Sequence, residues 1–429
     1  MRARHATAEE PLRIAMVAAC PFPSLRGSQV LIRELAQALA DRGHTVHVVT
    51  YPQGESLVAV HGIRVHRAHA PWFAARGWPW VWRRLVLDVS LALALYRIVR
   101  QAQIQVIHAH NYEAPLASFL VRWMTGVPVV YHSHNALSDE LAYYVAPGWR
   151  RRLAHHLGSI LDRQVPRRAD YSIALTCELE SFLRRCGVTK VATISPTSAP
   201  PPAGVHDGSG GFAGRFAVMY TGNLDPYQDL DVLWAGVINL LAVVPETLLL
   251  VVTHEVNWER RGGSRLVQLV EAGAAQVIVA PTFSAVRRLM ARADVLVCPR
   301  RSWSGFPIKL LNYMVAGRPI VAAEGSAKGM IDGETGLVFR NGDAEDLASV
   351  LRRLAYDPTL RVRCGERART KALEAGTRQR NIEQIEGIYA RIRAVDGGAM
   401  GAVAKETRLR GLIAFSKDRI SAASGEMPR

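Results

Sequence analysis

Short apolar runs that alternate with segments of helical periodicity constrain the fold of this chain more than any other feature. The run Leu12–Ala18 has the composition of a buried strand, and the apolar residues from Val30 to Leu39 recur at helical spacing. Gly43 suits the end of that helix, and Thr45–Thr50 is a second strand-like run. A strand, a helix and a strand in this order predict a βαβ unit of a parallel sheet.

The alternation continues along the chain and restarts once. The segment Ser198–Gly214 is rich in proline, glycine and serine, which is typical of a linker. We therefore predict an α/β protein with parallel sheets, a first domain at residues 1–200, a second at 215–380, and a further segment at 381–429. Further strands are predicted at Val106–His110, Val127–His132, Tyr171–Ala174, Ala217–Thr221, Thr247–Thr253, Val277–Val279, Val295–Cys298 and Pro319–Ala322.

Composition narrows the class of protein. The chain has 429 residues, 49% of them hydrophobic, and a formal net charge of +16, which attracts polyanions such as nucleic acid, anionic membrane or phosphorylated substrates. Its five scattered cysteines form no C-x-x-C pair, so a disulfide scaffold or structural zinc site is not expected. We expect no signal peptide and no transmembrane helix, because neither apolar pattern is present.

Several nucleotide-binding motifs are missing. The first βα turn has no G-x-G-x-x-G, and the second strand ends at Thr50-Tyr51 without an acidic residue, which disfavours a nicotinamide dehydrogenase. The sequence also has no P-loop and no HExxH motif. No recognised nucleic-acid-binding motif accompanies the positive charge, so we do not expect a nucleic acid partner.

The segment Ser304–Val321 (SGFPIKLLNYMVAGRPIV) is the strongest functional signal. Its first residues predict a tight loop after a strand, and Lys309–Val315 predicts a helix. Free N–H groups and the positive dipole end of such a helix suit a diphosphate, to which Lys309 would add a movable positive charge. A plain strand-loop-helix connection is the alternative interpretation.

Two other patterns lie at predicted strand ends. Gly222 follows a strand in Tyr220–Leu224, where it either admits a ligand close to the backbone or forms a simple turn. His108 and His110 end one strand, and His132 and His134 end another, so these side chains could donate hydrogen bonds into a cleft. Structural histidines are the alternative, and a zinc site stays open although no cysteine or fixed carboxylate completes a ligand set.

The ordered series of motifs resembles the retaining glycosyltransferases of family 4, from about Leu12 to Ile392. It comprises the RGS loop, DRGHTVHVVT, VIHAHN, GVPVVYHSHN, YTGN, the Ser304–Val321 segment, IDGETGLVF and the helix with DPTLR. The resemblance implies the GT-B fold of two facing Rossmann-like domains and a last helix that crosses back to the first domain. It implies a nucleotide-sugar donor on the C-terminal domain, an acceptor on the N-terminal domain, and transfer with retention and without a metal or other cofactor.

The resemblance also implies roles for individual residues. The active-site histidine of the family falls on His134. From its place in the first turn of the helix, we expect Lys309 to be the second catalytic residue. Acceptor binding is expected at His110, His132 and Asn135. Donor binding is expected at Gly27, Ser28, Gly222, Asn223, Gln228, Ser304, Gly305, Phe306, Pro307, Ile308 and Asn312.

This chain departs from the family at four of these positions. Ser304 and Asn312 stand where the family has two glutamates, and Asn312 would bind a ribose hydroxyl more weakly than a carboxylate does. Asn223 and Gln228 stand where the family has an arginine and a lysine that hold the diphosphate. We expect Lys309 and helix N-terminal amides to compensate in part. A non-catalytic binding subunit and a nucleotide-sugar epimerase of the same fold are the alternatives to an active transferase.

Two clusters of tryptophan and arginine suggest an interface with lipid headgroups. We therefore expect a cytoplasmic protein that associates peripherally with the anionic inner membrane face and acts on a glycan or lipid-linked acceptor, as in polysaccharide assembly. A core helix at Val81–Val99 with a solvated basic face is the alternative. The first cluster comprises Trp72, Arg76, Trp78, Trp80, Trp82, Arg83 and Arg84, and the second comprises Trp149–Arg152, His155, His156, Arg163, Arg167 and Arg168.

Overall fold

The computed structural model describes residues 10–23, 27–54, 62–69, 80–145, 147–197, 212, 214–280, 282–374 and 378–399. The described residues up to Gln384 belong to one compact unit that contains two sheets, and those from Ile385 to Ala399 belong to a second unit. Most of the predicted linker and the residues Trp72, Arg76 and Trp78 lie outside the described residues, as do the side chains of Trp80 and Trp82. Within the described part of the chain, no helix has both the length and the apolar composition needed to cross a bilayer.

The first sheet has seven parallel strands in the order β3-β2-β1-β4-β5-β6-β7. Its central strands are buried and mostly apolar, because helices cover both faces of such a sheet. The strands are β1 (Arg13–Ala18), β2 (Thr45–Thr50), β3 (Ile63–Arg67), β4 (Val106–His110), β5 (Val129–Ser133), β6 (Tyr171–Ala174) and β7 (Val191–Thr193). The helices are α1 (Gly27–Asp41), α2 (Trp80–Gln101), α3 (Glu113–Thr125), α4 (Leu137–Tyr144), α5 (Trp149–Arg167) and α6 (Cys177–Arg185).

The second sheet has six parallel strands in the order β10-β9-β8-β11-β12-β13. Its strands are β8 (Phe216–Thr221), β9 (Thr247–Thr253), β10 (Ala275–Val279), β11 (Val295–Cys298), β12 (Ile320–Ala323) and β13 (Leu337–Phe339). The helices are α7 (Leu230–Leu241), α8 (Trp258–Glu271), α9 (Phe283–Met290), α10 (Ile308–Ala316), α11 (Ala344–Tyr356), α12 (Pro358–Glu374) and α13 (Arg378–Ala399). The predicted α/β fold with two parallel sheets is thus confirmed, and the domain boundaries stay a prediction.

The first turn of α13 contacts the part of the chain that carries the first sheet. Arg378 donates to the carbonyl oxygen of Glu34 at 3.2 Å and lies 3.5 Å from the Asp41 carboxylate. The Asn381 side chain donates to the carbonyl oxygen of Ser195 at 2.7 Å. These contacts are those expected of a helix that returns to the first domain.

Four buried histidines fill the carboxyl ends of β4 and β5. His108 Nε2 and His132 Nδ1 lie 3.0 Å apart, and His110 Nδ1 and His134 Nε2 lie 3.1 Å apart. His108 and His110 point to the same face of the sheet and stack at 4.7 Å. Burial lowers the pKa of His108 to about 3 and that of His134 to about 4, and it holds the pKa values of His110 and His132 well below 6.5. All four rings are therefore neutral at pH 7.

This cluster makes the stability of the fold depend on pH. Between pH 6.5 and about 4, the unfolded chain protonates these rings while the folded chain does not, so acidification favours unfolding. Each ring contributes at most about 1.4 kcal/mol per pH unit to this loss. Denaturant unfolding at pH 7, 6 and 5 should therefore give a shallower dependence in His132→Asn than in the wild type. The exposed His156→Asn provides the control, and equal slopes in all three proteins would contradict this account.

Candidate functional site

A cavity of about 460 Å³ lies where the carboxyl ends of strands from both sheets face each other. Its volume falls in the range of small-molecule sites, roughly 300–1,000 Å³. Predicted site residues that line it are Gly27, Ser28, His134, Asn135, Gly222, Asn223, Gln228, Gly305, Phe306, Pro307, Ile308, Lys309 and Asn312. Three other predicted residues, Ser304, His110 and His132, are buried and are not among the lining residues.

The N-terminus of α10 points its first turn into this cavity. The helix begins after Pro307, and no side chain caps it. The Leu310 N–H donates to the Pro307 carbonyl oxygen at 2.8 Å, which leaves the N–H groups of Ile308 and Lys309 for an anionic ligand. Tyr313 of the same helix ties it to β8, because its hydroxyl accepts from the Thr221 N–H at 2.9 Å. Across the cavity, the first residues of α1 approach this turn, since a Cβ atom on Gly27 would lie 3.5 Å from Ile308 Cγ1.

Lys309 is held in place rather than movable, which corrects the expectation from sequence. Its Nζ donates to Gln228 Oε1 at 2.9 Å and lies 4.0 Å from the centroid of the Tyr220 ring. Burial, together with the Arg300 charge, lowers the pKa of Lys309 to about 7. Gly222 leaves room for the ammonium group, because a Cβ atom there would lie 2.9 Å from Nζ and the backbone has φ of +133°.

The two amides that replace the family's cations hydrogen bond to each other. Gln228 Nε2 donates to Asn223 Oδ1 at 2.7 Å, and Asn223 Nδ2 donates to Asp225 Oδ2 at 2.5 Å. Arg261 then binds Asp225 at 2.9 Å and Glu255 at 2.7 Å. The network ends on Lys309, whose ammonium group it orients toward the cavity.

Arg300 is a cavity cation that the sequence analysis did not single out. Its Nη2 donates to Ser302 Oγ at 3.0 Å, and its guanidinium lies 5.2 Å from the Tyr227 ring centroid. Arg300 Nε is buried and has no hydrogen-bond partner among the described residues. A Cβ atom on Gly305 would lie 2.5 Å from Arg300 Nη2, so this glycine makes room for the guanidinium. The signal in the sequence was a basic residue two positions after the predicted strand Val295–Cys298.

Two neighbouring acidic residues of α4 were also missed. The Asp139 carboxylate accepts from Ser302 Oγ at 2.7 Å, from Ser304 Oγ at 2.7 Å and from the Ser304 N–H at 3.2 Å. Ser304 thus faces Asp139, which explains why it does not line the cavity. Glu140 does line it and accepts from Asn135 Nδ2, and burial raises the pKa of the Glu140 carboxyl group although Arg300 opposes this.

The histidines divide between the cavity and the sheet. His134 lines the cavity, and His110 supports it from behind through the pair of ring nitrogens at 3.1 Å. His108, His110 and His132 have ring nitrogens within 4.8 Å of one another, and among the described residues they form the group suited to hold a metal ion. Neutral imidazoles are metal ligands, so the zinc interpretation stays open at this buried position.

Two family models match the chain, one to each sheet. The model described as Glycosyltransferase Family 4 matches residues 25–197, and the model described as Glycosyl transferases group 1 matches residues 215–357. The chain is 25% identical to the D-inositol 3-phosphate glycosyltransferase of Pseudarthrobacter chlorophenolicus, over 88% of this chain and 93% of that protein. It is also 25% identical to the phosphatidyl-myo-inositol mannosyltransferase of Mycolicibacterium smegmatis, over 82% of this chain and 86% of that protein.

Comparison with solved structures supports the same fold. The sucrose-phosphate synthase of Thermosynechococcus elongatus superposes with a TM-score of 0.76 at 19% identity, covering 90% of this chain and all of that one. The family models match both halves of the chain. These matches agree with the two parallel sheets and with the cavity between their strand ends. The chain belongs to the family 4 glycosyltransferases and has the GT-B fold.

Proposed function

We propose that this glycosyltransferase moves a sugar from a nucleotide-diphosphate donor to a glycan or lipid-linked acceptor, with retention of anomeric configuration and without a metal ion. The observation that carries the proposal is the convergence of Arg300, Lys309 and the α10 N-terminus on one cavity. Two cations and the N–H groups of a helix N-terminus are groups that suit a diphosphate. They would neutralise the charge that a divalent ion neutralises in other transferases.

The donor would lie on the second sheet, with its diphosphate against α10 and its base and ribose toward Asn312 and the ends of β8 and β9. The acceptor would lie toward α4, where Glu140 and Asn135 offer hydrogen bonds to a hydroxyl group. The acceptor oxygen attacks the anomeric carbon from the face that the leaving group occupies. The bond from that carbon to the phosphate oxygen breaks, its electron pair goes to the diphosphate, and the hydroxyl proton passes to the departing phosphate. Fixed donors stabilise this developing charge.

The nature of the acceptor is proposed from the relatives. One relative is named for a phosphatidyl-myo-inositol acceptor and another for inositol phosphate, which favours a polyol or glycan head and, in the first case, a lipid tail. We propose a cytoplasmic protein with peripheral attachment to the inner membrane face. Its five cysteines are free, as is usual in a reducing compartment.

Lys309 should make donor binding depend on pH. A diphosphate favours the charged ammonium, so binding above pH 7 requires protonation of Lys309, whose pKa is about 7. Affinity should therefore fall roughly fivefold from pH 7 to pH 8 and roughly tenfold from pH 8 to pH 9. Calorimetry with uridine and guanosine diphosphates at pH 6 to 9 measures both the affinity and the proton uptake. A thermal-shift screen of their sugars first identifies the base.

The matched variant for this experiment is Lys309→Met, which keeps the length of the side chain. At pH 6 it should bind the diphosphate roughly tenfold to a hundredfold more weakly, and it should lack the fall in affinity above pH 7 that the wild type shows. Unchanged affinity would remove Lys309 from the donor site. If the wild type bound none of the diphosphates, a non-catalytic binding subunit would replace the proposal.

Arg300 should contribute more to transfer than the arginine that follows it. Arg300→Gln removes a cation from the cavity, whereas Arg301 is exposed and lies 3.3 Å from Asp229 outside the lining residues. We expect kcat/KM to fall by roughly a hundredfold in Arg300→Gln and by less than about threefold in Arg301→Gln. An equal loss of kcat/KM in the two variants would show that Arg300 does not contribute to transfer more than Arg301 does. Both variants are to be compared by their melting temperatures.

His134 should act on the sugar or acceptor rather than on the nucleotide. We expect His134→Ala to lower kcat by roughly a hundredfold, as removal of a positioned hydrogen-bond donor does, and to bind the nucleoside diphosphate almost as tightly as the wild type. Single-turnover measurements together with calorimetry separate the two effects. Full activity in this variant would exclude the role.

A further inference from the structure

We infer that one face of the first sheet, formed by helices α2, α3 and α5, is the surface that docks on an anionic lipid bilayer. The inference rests on the proposed lipid-linked acceptor, to which such a surface would deliver the cavity. The connections β3–α2–β4, β4–α3–β5 and β5–α5–β6 all run in the same direction along the sheet. Right-handed crossovers therefore place the three helices on the same face.

The helices are joined into a continuous surface. Helix α2 packs against α3. The Arg122 side chain of α3 donates to the carbonyl oxygen of Arg168, just after α5, at 2.7 Å. At the other end, the Tyr112 hydroxyl before α3 donates to Asp162 of α5 at 3.1 Å.

Each helix exposes an apolar stripe on its outer side. The spacing of three or four residues within each helix places the members on one side of it. Single exposed apolar residues are ordinary, but three aligned stripes on adjoining helices are typical of an interaction surface. The members are between 44% and 69% exposed and comprise Leu85, Val89 and Leu93 on α2, Leu116, Leu120, Trp123 and Met124 on α3, and Trp149, Leu153, Leu157 and Ile160 on α5.

The charge on the same helices selects the partner. They carry ten arginines and three carboxylates, and one of these carboxylates, Asp162, is buried. On α5, Arg150 and Arg152 flank the stripe that begins at Trp149. Tryptophan and arginine around an apolar stripe suit a headgroup interface of anionic lipid. A second copy of the chain is a poorer partner, because a symmetric contact would bring two basic faces together.

The apolar stripes are tested first, by measuring vesicle binding. Co-sedimentation is measured for the full chain, without donor, on phosphatidylcholine vesicles with and without phosphatidylglycerol. We expect binding only with phosphatidylglycerol, strong at about 0.1 M salt and weak at about 1 M. Trp123→Gln combined with Trp149→Gln should lower the affinity at least about tenfold. The control is Val362→Gln combined with Leu373→Gln, which are 60% and 53% exposed on α12 and should change binding less than about twofold.

The arginines are tested by Arg150→Gln, Arg151→Gln and Arg152→Gln together. We expect about a hundredfold weaker binding at low salt, because each of the three basic residues near the membrane surface contributes roughly a fivefold factor to the affinity. A melting temperature that differs from that of the wild type by no more than about 4 °C establishes that a variant is folded. Salt sensitivity alone would not locate the binding surface. Weaker vesicle binding in both the tryptophan and the arginine variants would place it on this face.

Three results would overturn the inference. They are no binding of the wild type at either salt, an equal loss in the α12 control, or a wild-type dimer that the tryptophan variant dissociates while vesicle binding is unchanged. Because the assay contains no donor, it separates this inference from the proposed function. A protein that binds vesicles but no nucleotide would support the docking surface and refute the transferase proposal. The reverse result would refute the docking surface and the proposed peripheral attachment, and would leave the transferase proposal standing.

Discussion

The Asp139 carboxylate is the contact on which the geometry of the cavity depends. It accepts three hydrogen bonds from Ser302 and Ser304, in the loop that leads into α10. The loop is a connection without regular structure, so without this acceptor its position would be weakly determined. Asp139 belongs to α4, which follows β5 of the first sheet and packs against α5, whereas the loop follows β11 of the second sheet. One side chain therefore sets the position of a phosphate-binding helix end relative to the residues across the cavity.

The aromatic contact between Phe182 and Trp303 supports the same loop from another side. Their ring centroids lie 5.2 Å apart, at an interplanar angle of 68°, which is a favoured edge-to-face arrangement. Trp303 lies between the two serines that bind Asp139, so polar and apolar contacts alternate along three successive residues. A hydrogen bond gives direction and an aromatic contact gives buried area, and together they restrict the loop more than either does alone.

Sequence patterns predicted the parts of this structure that are local. The strands β2, β4, β6, β9 and β11 begin and end at the predicted residues, because strands covered on both faces are rich in aliphatic side chains. The edge strands β3 and β7 escaped prediction, since β3 contains Arg64, His66 and Arg67 and β7 has only three residues. Edge positions tolerate such sequences because one side of the strand is open.

The site was predicted less completely, for a physical reason. Asp139 and Ser304 are separated by 165 positions, and Lys309 and Gln228 by 81. No spacing rule connects residues at such distances, because only the packing of two sheets brings them together. The resemblance to a family indicated which loops surround the cavity. It did not indicate that Ser304 would donate a hydrogen bond to Asp139 of α4. Nor did it indicate that Arg300 would place a cation near the position where the family's arginine and lysine are missing.

The distribution of charge in the cavity has a consequence for catalysis. On the first sheet, burial keeps His134 and the three histidines around it neutral, so they can donate a hydrogen bond without adding a charge. On the second sheet, burial lowers the pKa of Lys309 to about 7, so at neutral pH this residue gains its full charge only when an anion is nearby. Positive charge thus increases when the donor binds and is confined to the side where the leaving group departs. A transferase needs this asymmetry, because it must stabilise the departing diphosphate more than the acceptor hydroxyl that replaces it.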